Sequence, residues 1–283
     1  MTVVADSITG RTEQAIGRPV RRRAWLGQTA RQILLPLAFA IAVFIAWEVA
    51  VRSSNISSMV IVPPSAAANV LLQHYPILLQ HAIPTLRETV IGFALASFLG
   101  IVLGTAIASS ERMRQAIYPN MVLFQVIPKV ALAPLFIVWL GVGSSSRITF
   151  AVFIAFFPVA VSTAAGLAST NRTALRLCQS LTATATQTFF AVRLPYAVPY
   201  IFAGLKVGVT MAVIGIVIGE FVTAQAGLGY LVMFASSAAE TALALAAIFL
   251  LCVIGMILYG LVALAEFLTI RRLGAPLPAG DTL

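Results

Sequence analysis

The chain alternates between long apolar runs and shorter polar segments. Six runs are rich enough in apolar residues to be membrane spans, at 33–51, 84–109, 120–140, 148–167, 196–221 and 243–268. A bilayer core about 30 Å thick needs roughly 20 apolar residues per helical crossing, so each run can cross once. Isolated strands cannot satisfy their backbone groups in hydrocarbon, and these runs lack the alternation of barrel strands. The pattern predicts an all-α integral membrane protein with about six transmembrane helices.

Basic residues indicate how these helices are oriented. Arginines cluster ahead of the first run and after the second, fourth and sixth, whereas the opposite side receives Arg52, Arg87 and Arg147 only. Because cytoplasmic loops carry the excess of Lys and Arg, both termini are predicted to be cytoplasmic. We predict three regions: a disordered cytoplasmic N-terminal tail over 1–32, a transmembrane domain over 33–270, and a cytoplasmic C-terminal tail over 271–283.

Two connections on the predicted outer side are long. The first, 52–83, contains VPPS at 62–65 and then an amphipathic stretch, which predicts a short helix at the outer surface. The second, 222–241, contains the turn sequence AGLGY at 226–230, followed by an apolar piece too short to cross. We expect this piece to dip back toward the protein.

Composition supports the membrane assignment and excludes several classes of protein. Of the 283 residues, 60% are hydrophobic and 10% charged, and the mean hydropathy is +0.99. The net charge of +9 comes from arginine clusters between apolar runs, so it indicates membrane orientation and contact with lipid rather than nucleic-acid binding. Cys178, Cys252, His74 and His81 are the only cysteines and histidines, and their spacing predicts no metal site and no nucleophile paired with a base.

The cytoplasmic loop between the fourth and fifth runs, about 168–195, is longer than a connection requires. Cys178, Leu181, Ala185 and Phe189 recur at helical spacing, which predicts a short helix that Pro195 ends before the next span. An interfacial helix lying on the bilayer is an equal alternative on periodicity alone.

The residue order of this loop and of two other stretches resembles a known family. The loop reads LCQSLTATATQTFFAVRLP at 177–195, the third run contains PKVALAPLF at 128–136 and WLG at 139–141, and GEF at 219–221 precedes GLGYL at 227–231. These residues resemble the permeases of binding-protein-dependent ABC importers, in the branch that imports nitrate, taurine, aliphatic sulfonates and vitamin precursors. Two departures stand out, because the family's loop glutamate falls on Arg176 and its loop glycine on Thr182. The resemblance covers about residues 35–271.

The resemblance implies a type I ABC importer permease with partners on both sides of the bacterial cytoplasmic (inner) membrane. It implies a second permease copy, as a homodimer or with a related permease, two ATPase subunits and an external solute-binding protein. The sequence contains no G-x-x-x-x-G-K-[ST] loop, so the chain itself is predicted to bind no cofactor and the partner ATPase to use ATP and Mg²⁺. The residues predicted to couple the chain to the ATPase are Arg176, Leu181, Thr182, Phe189, Phe190, Arg193, Leu194 and Pro195.

Within that set, three roles are distinguished. Phe189, Phe190 and Leu181 are candidates for docking or anchoring contacts. Leu194 and Pro195 are expected to fix the angle at which the loop enters the fifth span. Thr182 in place of glycine argues against a turn with positive φ.

Ionisable residues inside spans point to function or to pairing. Counting 1.5 Å per residue puts Lys129 and Lys206 about 15 Å in from the cytoplasmic end, without a carboxylate at their own depth. Lys129, with Trp139 and Glu220, is assigned to the translocation path, where Lys129 would favour an anionic or carbonyl-rich solute. A structural role remains open for both lysines, and Glu220 could be a helix-end carboxylate that faces water.

Two further points stay open on sequence alone. Gly100 with Gly104, Gly204 with Gly208, and Gly215 with Gly219 have the spacing of close helix crossings, although such pairs often arise by chance. A secondary transporter that works without an ATPase is the alternative function, although it would usually show inverted repeats and more spans. The sequence does not identify the solute.

Overall fold

The computed structural model describes residues 22–54, 57, 59–223 and 225–273, with side chains described from Leu34 to Arg272. The chain divides into two compact units, Met1–Ile56 and Ser57–Leu283. All regular elements in the described part are helices. The predicted all-α class is therefore confirmed.

In the described part of the first unit, the chain forms one helix, α1 (Arg22–Ser53). Within it, the rings of Phe44 and Trp47 stack at 6.4 Å, and Arg52 Nε donates to Glu48 Oε1 at 2.6 Å. The backbone is already helical from Arg22, so the helix begins inside the predicted tail 1–32. The rest of that tail lies outside the described residues.

Ten further α-helices lie in the described residues of the second unit. They are α2 (Pro64–Gln73), α3 (Tyr75–Ser109), α4 (Glu111–Val126), α5 (Ala133–Leu140), α6 (Ser144–Ala168), α7 (Arg172–Ser180), α8 (Ala185–Thr188), α9 (Leu194–Thr223), α10 (Leu228–Ser237) and α11 (Thr241–Leu273). A 3₁₀ turn, Lys129–Leu132, precedes α5, and a π-helical turn, Phe189–Arg193, joins α8 to α9. Because α11 continues to Leu273, it enters the predicted tail 271–283, and the remainder of that tail lies outside the described residues.

By length and composition, five helical segments of the described chain could each cross a membrane, and the bent pair α4 with Lys129–Leu140 would make a sixth. The predicted third span, 120–140, is broken rather than continuous, because α4 and Lys129–Leu140 bend by 86° relative to each other. Pro128 causes the break: Ile127 before it is extended at φ −63° and ψ 129°, which is the conformation that proline imposes on its predecessor.

Helix α6 lies at the centre of the second unit, between α3 and α9. All six glycines of the three candidate pairs face it closely. A Cβ on Gly100 would lie 2.8 Å from Val159 Cβ, and one on Gly215 would lie 2.7 Å from Ala151 Cα. The other four glycines are equally close to α6. A Cβ on Gly104, Gly204, Gly208 or Gly219 would lie 2.6 to 2.8 Å from a side-chain atom of Thr163, Ser162, Val159 or Arg147, respectively. In this membrane domain, small residues therefore let three long helices approach to backbone distance.

The two predicted outer elements are both present. Helix α2 follows Pro63, with Pro64 at its first turn where a missing N–H costs nothing. Helix α10 is ten residues long, too short to cross, and its Leu228 and Leu231 are buried with Leu78 and Ala82 of α3 and Ala247 of α11. The apolar piece after the AGLGY turn thus packs into the protein, as predicted.

Candidate functional site

The coupling segment, residues 172–193, consists of two short helices rather than one. Helix α7 begins at Asn171, whose side chain accepts from the Thr173 N–H at 2.8 Å, and ends at Ser180. Cys178 therefore lies on a different helix from Ala185, and Phe189 follows in the π turn. The prediction of one helix face shared by these residues is wrong, because α7 ends at Ser180 and Thr182 leaves the helical conformation before α8 begins.

That turn is a Schellman motif with threonine where glycine is usual. The N–H of Ala183 donates to Cys178 O at 3.0 Å, and the N–H of Thr182 donates to Gln179 O at 3.1 Å. Thr182 takes φ 52°, the left-handed region that a β-branched residue seldom enters. Threonine argued against a positive φ here, but the structure has one: both backbone hydrogen bonds are made and the strain is tolerated.

The second half of the coupling segment is rigidly joined to α9. Thr184 and Gln187 form a capping box, in which Thr184 N–H donates to Gln187 Oε1 at 2.9 Å and Gln187 N–H donates to Thr184 Oγ1 at 3.3 Å. From there the chain is helical without interruption over Ala185–Thr223. Pro195 therefore does not end the helix, contrary to prediction. Its missing N–H and its ring are accommodated by the π turn before it, where Leu194 N–H donates to Phe189 O.

The predicted docking residues separate into two groups. Phe189 is half-buried and packs with Leu194 against the cluster of Leu167, Ala197 and Ile201. Leu181 and Phe190 are 70% and 62% exposed. Phe189 therefore anchors the segment to the helix bundle, whereas Leu181 and Phe190 are left exposed.

The remaining coupling residues border this surface. Arg176 is exposed on α7, and Pro195 is half-buried at the start of α9. Arg193 is half-buried and lines a cavity of about 710 Å³ with Thr105 and Ser109 of α3, Gln179 of α7, and Phe189 and Phe190. The cavity lies between α3 and the two halves of the coupling segment.

At the opposite end of α9, Glu220 is buried and holds a backbone turn. Its Oε1 accepts from Thr85 Oγ1 at 2.7 Å, and its Oε2 accepts from the Gly229 N–H at 2.7 Å. The Leu228 N–H donates to Thr85 Oγ1 at 2.8 Å. Glu220 is 1% exposed, so it is not a helix-end carboxylate in water.

His81 completes this arrangement, which we call the outer clasp: the side chains of His81, Thr85 and Glu220 with the backbone of Gly227, Leu228 and Gly229. The Gly227 N–H donates to His81 Nδ1 at 3.1 Å. Three successive N–H groups at the start of α10 are thus each bound by a side chain. Gly227 has φ 118°, and a Cβ there would enter the Glu220 carboxylate, so this turn requires glycine.

An ion pair that the sequence analysis missed lies beside the outer clasp. Arg147 on α6 makes a bidentate contact with Glu88 on α3, with Nη2 to Oε1 at 2.5 Å and Nε to Oε2 at 2.8 Å. Gly219 leaves room for the Arg147 stem, since a Cβ there would be 2.8 Å from its Cγ. The available signal was that Glu88 and Arg147 are ionisable residues next to or within apolar runs.

The two intramembrane lysines differ from each other. Lys206 Nζ lies 2.5 Å from Glu266 Oε2, so the prediction that it lacks a carboxylate at its depth is wrong. The helices α9 and α11 bring the two residues together although they are far apart in sequence. Lys129 Nζ instead lies 5.2 Å from the centroid of the Phe157 ring. No ion pair of Lys129 occurs among the described residues.

Trp139 and Lys129 belong to one set of aromatic contacts, whereas Glu220 belongs to the outer clasp. Trp139 is 68% exposed, and its ring is 5.8 Å from that of Phe136. Phe136 contacts Phe153 at 5.3 Å, and Phe153 contacts Phe157 at 5.4 Å. The predicted path residues are therefore divided between two regions of the membrane domain.

The fold and these sites define a multi-pass helical membrane permease. Residues 96–269 match the family described as "Binding-protein-dependent transport system inner membrane component", and the chain belongs to this family. The family membership supports the ATP-driven permease over the secondary transporter.

Relatives and solved structures agree with this assignment. The chain is 35% identical to the formylaminopyrimidine transport permease protein ThiX of Halalkalibacterium halodurans, over 70% of this chain and 80% of that one. It is 31% identical to the taurine transport system permease protein TauC of Escherichia coli, over 88% and 94%. The structure of the inward-facing MetNI methionine ABC transporter shares the fold, with a TM-score of 0.59 and 18% identity over 71% of this chain and 98% of that chain.

Proposed function

We propose that this chain forms the translocation path of an ATP-driven importer in the bacterial inner membrane. A solute-binding protein delivers a small anionic or polar organic solute to the outer side. Two ATPase subunits bind the coupling segment on the inner side and use ATP and Mg²⁺, and a second copy of the permease completes the path. The chain contributes binding surfaces and moving helices and catalyses no reaction itself.

The observation that carries this proposal is the continuity between an exposed contact surface and a membrane span. Phe190 is exposed within, and Leu181 shortly before, a helical segment that runs from Ala185 through the bundle to Thr223. Displacement of the coupling segment by a partner would therefore move α9 as a rigid body rather than dissipate in a flexible loop.

The other end of the same segment supports a gate on the outer side. Glu220 lies near the outer end of α9 and binds the first turn of α10 through Gly229. Movement of α9 would thus be passed to α10, which lines an outer cavity of about 760 Å³ with Tyr230, Leu231 and Phe234. In this proposal the outer clasp connects the coupling segment to the outer entrance.

Phe190→Asp tests the proposed ATPase contact. When the variant is co-expressed with the ATPase subunit, we expect affinity purification to recover about tenfold less ATPase, because a charge replaces an exposed apolar contact residue. Phe190→Leu should retain most of the binding. Both variants should elute from size-exclusion chromatography as the wild type does, since Phe190 is 62% exposed.

Reconstitution tests the energy source. Proteoliposomes that contain the permease, the ATPase and the binding protein should accumulate solute only with ATP, and the permease alone should not transport it. Uptake by the permease alone, or undiminished ATPase recovery with Phe190→Asp, would contradict the proposal.

A further inference from the structure

Lys129 differs from Lys206 and Arg147, two other half-buried cations of the membrane domain, in its surroundings. Lys206 is paired with Glu266, and Arg147 with Glu88. Lys129 is half-buried, and within the described part of the chain no carboxylate reaches it. An ammonium group at membrane depth is costly unless it is paired or faces a polar cavity. An anion that the described chain does not supply would therefore stabilise the Lys129 ammonium at this position.

The break between α4 and α5 sets the position of this charge. Lys129 is the first residue of the 3₁₀ turn that follows Pro128, where the chain bends by 86°. Its Nζ lies 5.2 Å from the Phe157 centroid, so the ring face compensates part of the charge while the rest stays accessible. Nearby residues Val126 and Val130 are 80% and 58% exposed, so this face of the break is open.

An aromatic ladder extends on both sides of Lys129. We define it as Trp139, Phe136, Phe153, Phe157 and Phe124, and successive ring centroids lie 5.8, 5.3, 5.4 and 6.0 Å apart. Its inner members are buried or half-buried, whereas the two ends, Trp139 and Phe124, are 68% and 50% exposed. The exposed ends offer flat ring surfaces, and the ammonium lies between them along the ladder.

We propose that Lys129 and the aromatic ladder bind a small organic anion whose body is flat and unsaturated. This inference rests on the proposed function and names the class of solute that the path favours. The ammonium pairs with a carboxylate or sulfonate, and the exposed ring of Phe124, which is next to Phe157 in the ladder, stacks on the flat body. A cationic solute would meet an uncompensated like charge, and a small inorganic anion would leave the rings unused.

Three probes separate the contributions of charge and ring. Benzoate carries both, benzamide has the ring without the charge, and cyclohexanecarboxylate has the charge without an aromatic face. Binding to the purified full-length chain in nanodiscs is measured by saturation-transfer difference NMR, with empty nanodiscs subtracted. We expect the Kd for benzoate to be about tenfold lower than for benzamide and about threefold lower than for cyclohexanecarboxylate, the usual scale for one charge contact and one stacked ring.

Variants locate the binding. Lys129→Met should weaken benzoate about tenfold, and Lys129→Arg should restore it, since arginine keeps the charge and also stacks on rings. Phe124→Leu should weaken benzoate about threefold, whereas Phe98→Leu, at a 66% exposed ring on α3 outside the ladder, should not change it. Size-exclusion elution and recovery of the ATPase should match the wild type in every variant.

Several outcomes would overturn the inference: no benzoate binding to the wild-type chain, equal binding of benzamide and benzoate, or undiminished binding to Lys129→Met. These results leave the proposed function standing if ATP-dependent uptake persists in the reconstituted complex. Loss of ATP dependence would instead overturn the proposed function.

Discussion

The two ends of α9 are held by different means. At the outer end, the buried Glu220 carboxylate binds the Thr85 hydroxyl and the Gly229 N–H, so the structure depends on groups from three elements, α3, α9 and α10. At the inner end, the turn at Thr182 and the capping box at Thr184 are closed by hydrogen bonds within the coupling segment itself. One end is a tertiary arrangement that excludes water, and the other is local and leaves apolar side chains exposed.

This difference suits the proposed rigid-body movement of α9, in which one end is fixed to its neighbours and the other is available to a partner. A buried polar clasp resists deformation because every lost hydrogen bond leaves an unsatisfied group in a dry environment. A locally capped segment keeps its shape without neighbours, so its outer face stays available to a partner. We therefore expect substitutions at the outer end to reduce the stability of the chain, and exposed substitutions at the inner end to affect mainly association.

Glu220→Ala should have the largest effect. It removes the acceptors of the Thr85 hydroxyl and the Gly229 N–H at a buried position, which should lower the free energy of unfolding by about 3 kcal/mol. Denaturant titration of the purified chain in detergent measures this. Glu240→Ala, at an exposed carboxylate after α10, should stay within about 0.5 kcal/mol of the wild type. Equal stability of the two variants would show that the outer clasp is not a stabilising unit.

Gly229→Ala should come next, at about 2 kcal/mol of destabilisation. The new Cβ would lie 2.8 Å from Glu220 Oε2 and 2.9 Å from Val217 O, and the backbone oxygen cannot move aside cheaply. Gly255→Ala on α11 is the matched control, because nothing lies within 4 Å of its Cβ position. That variant should gain up to about 1 kcal/mol from helix propensity. The thermal unfolding temperatures of the two variants should therefore shift in opposite directions from that of the wild type. A shift of both in the same direction would contradict the geometry.

Phe189→Ala and Phe190→Ala sharpen the comparison at the inner end. Phe189 packs against Leu167, Ala197 and Ile201 and is half-buried. Its truncation to alanine should therefore lower the free energy of unfolding by about 1.5 kcal/mol. Phe190 is 62% exposed, so its loss should change stability by less than about 0.5 kcal/mol. The same denaturant titration measures both. Equal losses would mean that the two rings do not divide into anchor and contact surface.

Thr182→Gly should produce the smallest effect, a gain of up to about 1 kcal/mol, because glycine adopts φ 52° without a Cβ penalty. Ala239 at φ 58° is a counterpart at the outer side: it follows α10 in the same Schellman pattern, with Glu240 N–H donating to Ala235 O at 2.8 Å. Ala239→Gly should gain a similar amount. If neither variant unfolds at a higher temperature than the wild type, backbone strain at these two turns does not lower the stability of the fold.

Much of the fold could be predicted because membrane insertion is governed by local composition. Runs of apolar residues located the spans, and proline and glycine located the outer turn and the elements α2 and α10. The break at Pro128 is also encoded locally, by proline and lysine inside the apolar run 120–140, but its angle of 86° depends on the folded structure. The coupling segment was located by its length and residue order, although its division into α7 and α8 depends on the backbone turn at Thr182.

The candidate site was predicted less completely, for a physical reason. Thr85 and Glu220 are 135 residues apart in the chain, and Lys206 meets Glu266 only because α9 packs against α11. Helical periodicity gives the face on which a residue lies but not which helix covers that face. The choice between a paired and an unpaired lysine therefore could not be made before the helices were arranged.

The amino-acid sequence by itself determined that the chain crosses a membrane with helices, which segments cross, and where the coupling segment lies, because these follow from hydrophobicity and residue order within short windows. Tertiary structure alone decided that Glu220 is buried in a clasp, that Phe189 is an anchor while Phe190 is exposed, and that Lys129 pairs with no carboxylate of the described residues. Each of these depends on which surfaces meet when the helices pack, and the close crossings at glycine fix that packing.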